Sequence, residues 1–265
     1  MFLNSLNLFD LNLRQRYVFF CEKLYCAGKK IAYDTFISVF YVYLCRCYGM
    51  AVSVAGNENH ESHVPKRIIM LEFKNVQLEA VPHELSFVAR LGEVTAIRGE
   101  RGSGKTSVVN AILGRAPVVS GFVTIDGELV TVGSAPFFRK TVSYVPQDVR
   151  LAVSRLSVVV DEMLAIAASQ GRGCAKAAVA AEMATLGITE DVLRTDVRSL
   201  DGRLVRLVLA ALGSAIGGSI FLLDEPVDRP DTVMSSFLRR QAERGRCVVV
   251  TESGDYVDCD KTIMI

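Results

Sequence analysis

The sequence predicts an α/β domain, on two observations. From Ile68 onward, segments of strand character take turns with segments of helical character, the order that builds a sheet with helices packed on it. Two of the strand segments, "SIFLLDEP" (219–226) and "CVVVTES" (247–253), are short apolar runs without polar alternation, the pattern of parallel strands covered on both faces.

In order, "IIMLEFKNVQLEA" (68–80) alternates like a strand, and "ELSFVA" (84–89) and "GEVTAIRG" (92–99) follow as two more. "TSVVNAILG" (106–114) reads as a helix closed by Gly114. "GFVTIDGELV" (121–130) is expected to be the next strand, and the alanine-rich stretch Ser157–Gly187 a helical one. No internal repeat is evident.

Half of the residues are hydrophobic, which is enough for a sizeable core. Lysine and arginine together number 30 against 29 acidic residues, so no basic face is implied and nucleic acid is not an expected partner. Seven cysteines (Cys21, Cys26, Cys45, Cys47, Cys174, Cys247, Cys259) show no C-x-x-C spacing, and the histidines are three, His60, His63 and His83. Free thiols in a reducing cytosol are expected rather than a zinc site. The longest apolar run, Thr35–Cys45, falls far short of the roughly 20 residues that cross a bilayer. The start "MFLNSLNLFD" lacks the basic region and cleavage site of a secretory signal.

Composition breaks near Met50. Twelve of the 21 Phe and Tyr residues and four of the seven cysteines fall in the first 50 positions, and the polar "GNENHESHVPKR" (56–67) has the composition of a linker. Residues 1–67 are therefore expected to be an extension and linker, and 68–265 one domain. The extension is either a small helical appendage, since Tyr33, Phe36, Ile37, Phe40 and Leu44 recur at helical spacing, or an upstream stretch preceding a true start at Met50 or Met70.

The motif that carries chemistry is "GERGSGKT", Gly99, Glu100, Arg101, Gly102, Ser103, Gly104, Lys105 and Thr106, with Ser107 next. It meets G-x-x-x-x-G-K-[ST] in full, between an apolar strand and a helix. Such a loop turns backbone N–H groups and a helix N-terminus toward polyphosphate, while Lys105 supplies a point charge and Thr106 a hydroxyl for Mg²⁺. An apolar strand ending in two carboxylates, "IFLLDEP", supplies the complement: Asp224 for Mg²⁺ and Glu225 for the water that attacks γ-phosphate. The plain alternatives are a glycine turn with an incidental lysine, and a polar loop after a core strand.

From about Met70 to the C-terminus the sequence resembles the nucleotide-binding subunit of an ATP-binding-cassette (ABC) transporter. The order runs phosphate loop, "SYVPQD" with Gln147, a helical insertion, a signature position, "LLDEP", the aspartate of "VDRPD" (Asp231), "VVVTES" and the closing "DCDKTIMI". The resemblance implies a P-loop NTPase core, with a parallel sheet flanked by helices, an antiparallel β subdomain and a helical subdomain. It also implies that Gln147 touches Mg²⁺ or the lytic water, that Asp231 crosses to a partner subunit, and that ATP and Mg²⁺ are the cofactors. The implied partners are a second ATPase subunit and separate transmembrane permease subunits, with the chain peripheral on the inner face of the cell membrane.

Three family positions are filled unexpectedly. Where the signature reads L-S-G-G-Q, this chain has "SLDGR", Ser199–Arg203. Asp201 there would repel phosphate unless Arg203 offset it, or would simply cap a helix. The histidine expected after the threonine of "VVVTES" is Glu252. A carboxylate about 4 Å from phosphate at an effective dielectric near 20 costs about 4 kcal/mol, about a thousandfold in rate. Glu252 is thus expected to turn away, take a proton, or pair with Arg or Lys. Ala80 stands where an aromatic stacks on adenine, a contact of about 1–3 kcal/mol elsewhere. The leading expectation is a slow ABC-type ATPase. The alternatives are a nucleotide-binding module with little hydrolysis, such as the degenerate half of a heterodimer, a soluble ABC protein of translation or DNA repair, and a small-molecule kinase.

Overall fold

The computed structural model describes residues 70–138, 141–169, 171–172 and 174–265. The expectations for 1–67, the helical spacing and the apolar run included, lie outside the described residues. The elements are β1 (Met70–Gln77), β2 (Leu85–Arg90), β3 (Val94–Arg98), α1 (Lys105–Ile112), β4 (Ser120–Ile125), β5 (Glu128–Leu129), α2 (Ala135–Phe138), β6 (Val142–Val145), α3 (Leu156–Ser169) and α4 (Lys176–Thr185). After two short 3₁₀ turns come α5 (Gly202–Ile216), β7 (Ile220–Asp224), α6 (Thr232–Glu243), β8 (Cys247–Glu252) and β9 (Lys261–Met264).

They form two sheets. One is antiparallel, in the order β2-β1-β4-β5, and the other is parallel, in the order β6-β7-β8-β3-β9. The core of the parallel sheet is the pair of apolar runs read from the sequence, and every residue of β7 and β8 is buried. Because side chains alternate across a strand, each run feeds two cores. Ile220, Leu222, Cys247 and Val249 pack with α1 and the antiparallel sheet, whereas Phe221, Leu223, Val248 and Val250 pack with α3, α5 and α6.

Two elements differ from expectation. "GFVTIDGELV" is not one strand but two, β4 and β5, joined at Asp126-Gly127 with φ of 54° and 79°. Asp-Gly is the dipeptide that accepts positive φ at both central positions of a tight hairpin, so the turn chemistry outweighs the strand pattern around it. Ser157–Gly187 is likewise two helices, α3 and α4, with Gly171 at φ 72° between them. Among the described residues no helix is long and apolar enough to cross a membrane.

The edge strand β9 is tied to the sheet by Asp260. Its Oδ2 accepts from the Val94 amide at 2.8 Å, and Arg239 Nη1 donates to Oδ1 at 2.9 Å and Oδ2 at 2.7 Å. Partial burial pushes this carboxyl up, but the Val94 amide and the Arg239 guanidinium outweigh it and hold it below the usual carboxylate range. A depressed carboxyl stabilises the fold above its unfolded-state pKa, and that stability is lost as pH falls through the folded-state value. Asp260→Asn is therefore expected to lower the melting temperature at pH 7. Melts followed by circular dichroism should show the gap to wild type closing as the pH drops below about 3.9.

Candidate functional site

β3 ends at Arg98, and the chain turns through Gly99–Gly104 into α1. Gly104 caps the helix at φ 101°, and a Cβ there would stand 2.6 Å from the carbonyl oxygen of Ala80 and 2.7 Å from the Val81 side chain. Only glycine meets both the backbone angle and the approach of that loop. A Cβ on Gly99 would meet Ser103 Oγ at 2.4 Å. Among the described residues nothing accepts from the amides of Gly102, Gly104, Lys105 and Thr106, and Ser103 Oγ is buried without a partner. Unspent donors at a helix N-terminus attract an anion.

The tip of β7 closes on this loop. Thr106 Oγ1 donates to Asp224 Oδ2 at 3.2 Å, and Thr251 Oγ1, on the neighbouring β8, donates to Oδ1 at 2.6 Å. Lys105 is buried; its Nζ donates to the carbonyls of Gly99 and Glu100, both at 2.8 Å, and lies 3.0 Å from Glu225 Oε1. Gln147, in the loop after β6, donates from Nε2 to Glu225 Oε2 at 2.7 Å, and Ser253 Oγ donates to Oε1 at 2.8 Å. Glu225 adopts φ 44°, rare for a side-chain-bearing residue, and its amide is held by Thr251 through Oγ1 at 2.9 Å and the carbonyl at 3.1 Å.

The two adjacent carboxyls are driven apart. Burial pushes Asp224 up, as does the neighbouring Glu225 charge, against the hydroxyls of Thr251 and Thr106 and the charge of Lys105. Burial also works to raise Glu225, but bonds from Lys105 and Ser253 and the charges of Lys105 and Arg101 outweigh it, so Glu225 sits below the usual range. Opposed environments on paired carboxyls are how a site assigns them different tasks.

The structure thus gathers Lys105, Thr106, Asp224, Glu225 and Gln147 into one cluster. Of the remaining loop residues, Glu100 contributes its carbonyl, Arg101 its charge on Glu225, and Ser107 an amide bonded to Gly104 at 2.9 Å. Two participants escape sequence reasoning: Thr251 and Ser253. The sequence signal for both is their place at the end of an apolar strand adjacent to β7.

Glu252 is fully buried and turned away from the phosphate loop. Its Oε1 accepts from Arg98 Nε at 2.5 Å, and its Oε2 from the amides of Tyr256 and Val257, both at 3.1 Å. Of the three outcomes expected for this residue, turning away and pairing with arginine both occur. Burial pushes its carboxyl up, with Arg98 and the two amides opposing. Asp201 caps α5 by accepting from the Arg203 amide at 3.0 Å. Asp231 caps α6 and pairs with the Arg203 guanidinium of the same chain. Ala80 is exposed beside the phosphate loop.

Residues 82–228, more than half of the chain, match the family model of the ABC transporter. The ribose import ATP-binding protein RbsA 3 of Rhizobium meliloti is 26% identical over 209 residues, 69% of this chain and 39% of that protein. RbsA of Bacillus cereus is 24% identical over 200 residues, 70% of this chain and 40% of that protein. This chain therefore spans well under half the length of those relatives. Among solved structures, an ABC transporter ATP-binding protein of Pyrococcus furiosus superposes with a TM-score of 0.61 at 19% identity, covering 74% of this chain and 96% of that one. A bacterial Atm1-family ABC exporter with ATP bound gives 0.57 at 20% identity, over 75% of this chain and 37% of that one. At such identities the superpositions speak for the fold, a P-loop NTPase core with an antiparallel β sheet, and the family match adds the lineage: the chain belongs to the ABC transporter family.

Proposed function

We propose that the chain is the ATP-binding and ATP-hydrolysing subunit of an ABC transporter, with slow turnover. The observation that supports this reading most is the single cluster in which Lys105 and Gln147 meet Glu225 while Thr106 meets Asp224. The donors fit Mg·ATP: four unspent amides and a lysine for phosphate oxygens, and a hydroxyl and a carboxylate, both hard oxygen ligands, for Mg²⁺. Bound Mg²⁺ would neutralise charge on the phosphate oxygens.

In this reading, Gly99, Glu100, Arg101, Gly102, Ser103, Gly104, Lys105, Thr106 and Ser107 line the phosphates, with Thr106, Asp224 and Gln147 on the metal side. Glu225 accepts from, or deprotonates, the attacking water. Against burial, the bonds from Lys105 and Ser253 and the charge of Lys105 favour its ionised form, the one that accepts. The flaws also fall on this site. Glu252, held on the other face of β8 by Arg98, donates nothing to phosphate, and Asp201 is spent as a helix cap. The partners are a second ATPase subunit, which completes the composite site, and separate membrane-spanning permease subunits, which place the chain on the inner face of the membrane.

A second reading, a nucleotide-binding module with little hydrolysis, is favoured by one observation: the signature position presents a capping carboxylate at the N-terminus of α5. Turnover separates the two. Lys105→Ala is expected to weaken Mg·ATP binding by about 10–100-fold, the value of a charge-assisted bond, in a calorimetric titration. Glu225→Gln is expected to keep nucleotide affinity and lower steady-state hydrolysis by at least about a hundredfold; wild-type turnover no faster than that variant would leave only the second reading. Glu252→His is expected not to accelerate hydrolysis, because the side chain at 252 faces away from the phosphate loop. A several-fold gain in turnover would contradict that orientation.

A further inference from the structure

We propose that Ser253 is a positioning residue for the Glu225 carboxylate, which rests on the reading of Glu225 as the group that handles the attacking water. Three donors hold that carboxylate: Lys105 Nζ and Ser253 Oγ on Oε1, and Gln147 Nε2 on Oε2. They are not equivalent. Lys105 is the residue whose charge serves phosphate, and its long flexible stem also reaches two loop carbonyls. Gln147 lies in a loop outside β6. Ser253 alone is attached directly to the end of a fully buried strand, with a short side chain and one rotatable bond to its oxygen.

Backbone pairing places that hydroxyl. β8 runs parallel to β7 with Thr251 opposite Asp224, and Thr251 clamps the turn at Glu225 through two bonds to its amide. The chain then sends Glu252 to the α6 side, where Arg98 and two amides hold it, and returns Ser253 toward Glu225. The family resemblance gives position 252 the task of facing the site. The geometry moves it one residue on, to a side chain that carries no charge. Ser253 can orient Glu225 and cannot offer a cation to phosphate, consistent with a site that works slowly.

The test compares the full-length protein with Ser253→Ala and Ser253→Thr in three measurements: steady-state ATP hydrolysis, Mg·ADP affinity, and affinity for the transition-state analogue Mg·ADP–aluminium fluoride. For Ser253→Ala, kcat is expected to fall about tenfold, the value of one hydrogen bond to a charged group. Analogue affinity should fall by a similar factor, while KM and Mg·ADP affinity stay within about twofold. Ser253→Thr, which keeps the hydroxyl, should recover most of both losses. Unchanged kcat and analogue affinity in Ser253→Ala would overturn the proposal. So would losses in kcat, KM, Mg·ADP affinity and melting temperature that move together and are not recovered by threonine, since that pattern marks a merely structural role. A wild-type protein that binds no Mg·ADP would instead remove the parent reading, and the role of Ser253 with it.

Discussion

The hydroxyl of Thr251 is the interaction on which the site depends. It donates to Asp224 and accepts from the Glu225 amide, so one atom at the end of β8 secures both carboxylate-bearing residues at the tip of β7. Both Asp224 and Thr251 are buried. A carboxylate taken out of water without partners costs several kcal/mol, and hydrogen bonds to a charged group return about 1.5–3 kcal/mol each. Asp224 obtains two, from Thr251 and Thr106. The amide bond also holds Glu225 at positive φ, a conformation that persists only where its surroundings over-determine it.

From that anchor the pleat of β8 distributes the rest. Alternation sends Cys247, Val249 and Thr251 toward α1 and the phosphate loop, and Val248, Val250 and Glu252 toward α6. A buried glutamate at the end of such a strand needs a cation, and β3 supplies it in register: Arg98 pairs with Glu252 across the parallel ladder, and their side chains share a face. The residue that looked most damaging to the site is therefore part of the scaffold beneath it. Removing Arg98 destabilises strongly, because it leaves the fully buried Glu252 charge without a cation.

A comparable economy holds at the start of α5 and α6. Asp201 and Asp231 are both N-caps, each accepting an amide of the first turn, and Arg203 bridges from the first helix to Asp231 at the start of the second. Within one chain, the N-termini of the two helices are thereby held together.

Much of the architecture was legible in residue order, because it follows from local rules. Apolar runs without alternation are buried parallel strands, an Asp-Gly pair is a hairpin turn, and a glycine-rich loop between strand and helix exposes amides. The grouping of Lys105, Thr106, Asp224, Glu225 and Gln147 was legible too, through motifs whose spacing is tied to the fold. What residue order could not determine is which way side chains face at the end of β8. That depends on its pairing with β7 and β3, made across 27 residues to Asp224 and 154 to Arg98. A shift of one residue in register exchanges the two faces of a strand. Only the assembled sheet therefore decides that Glu252 belongs to the scaffold and Ser253 to the site.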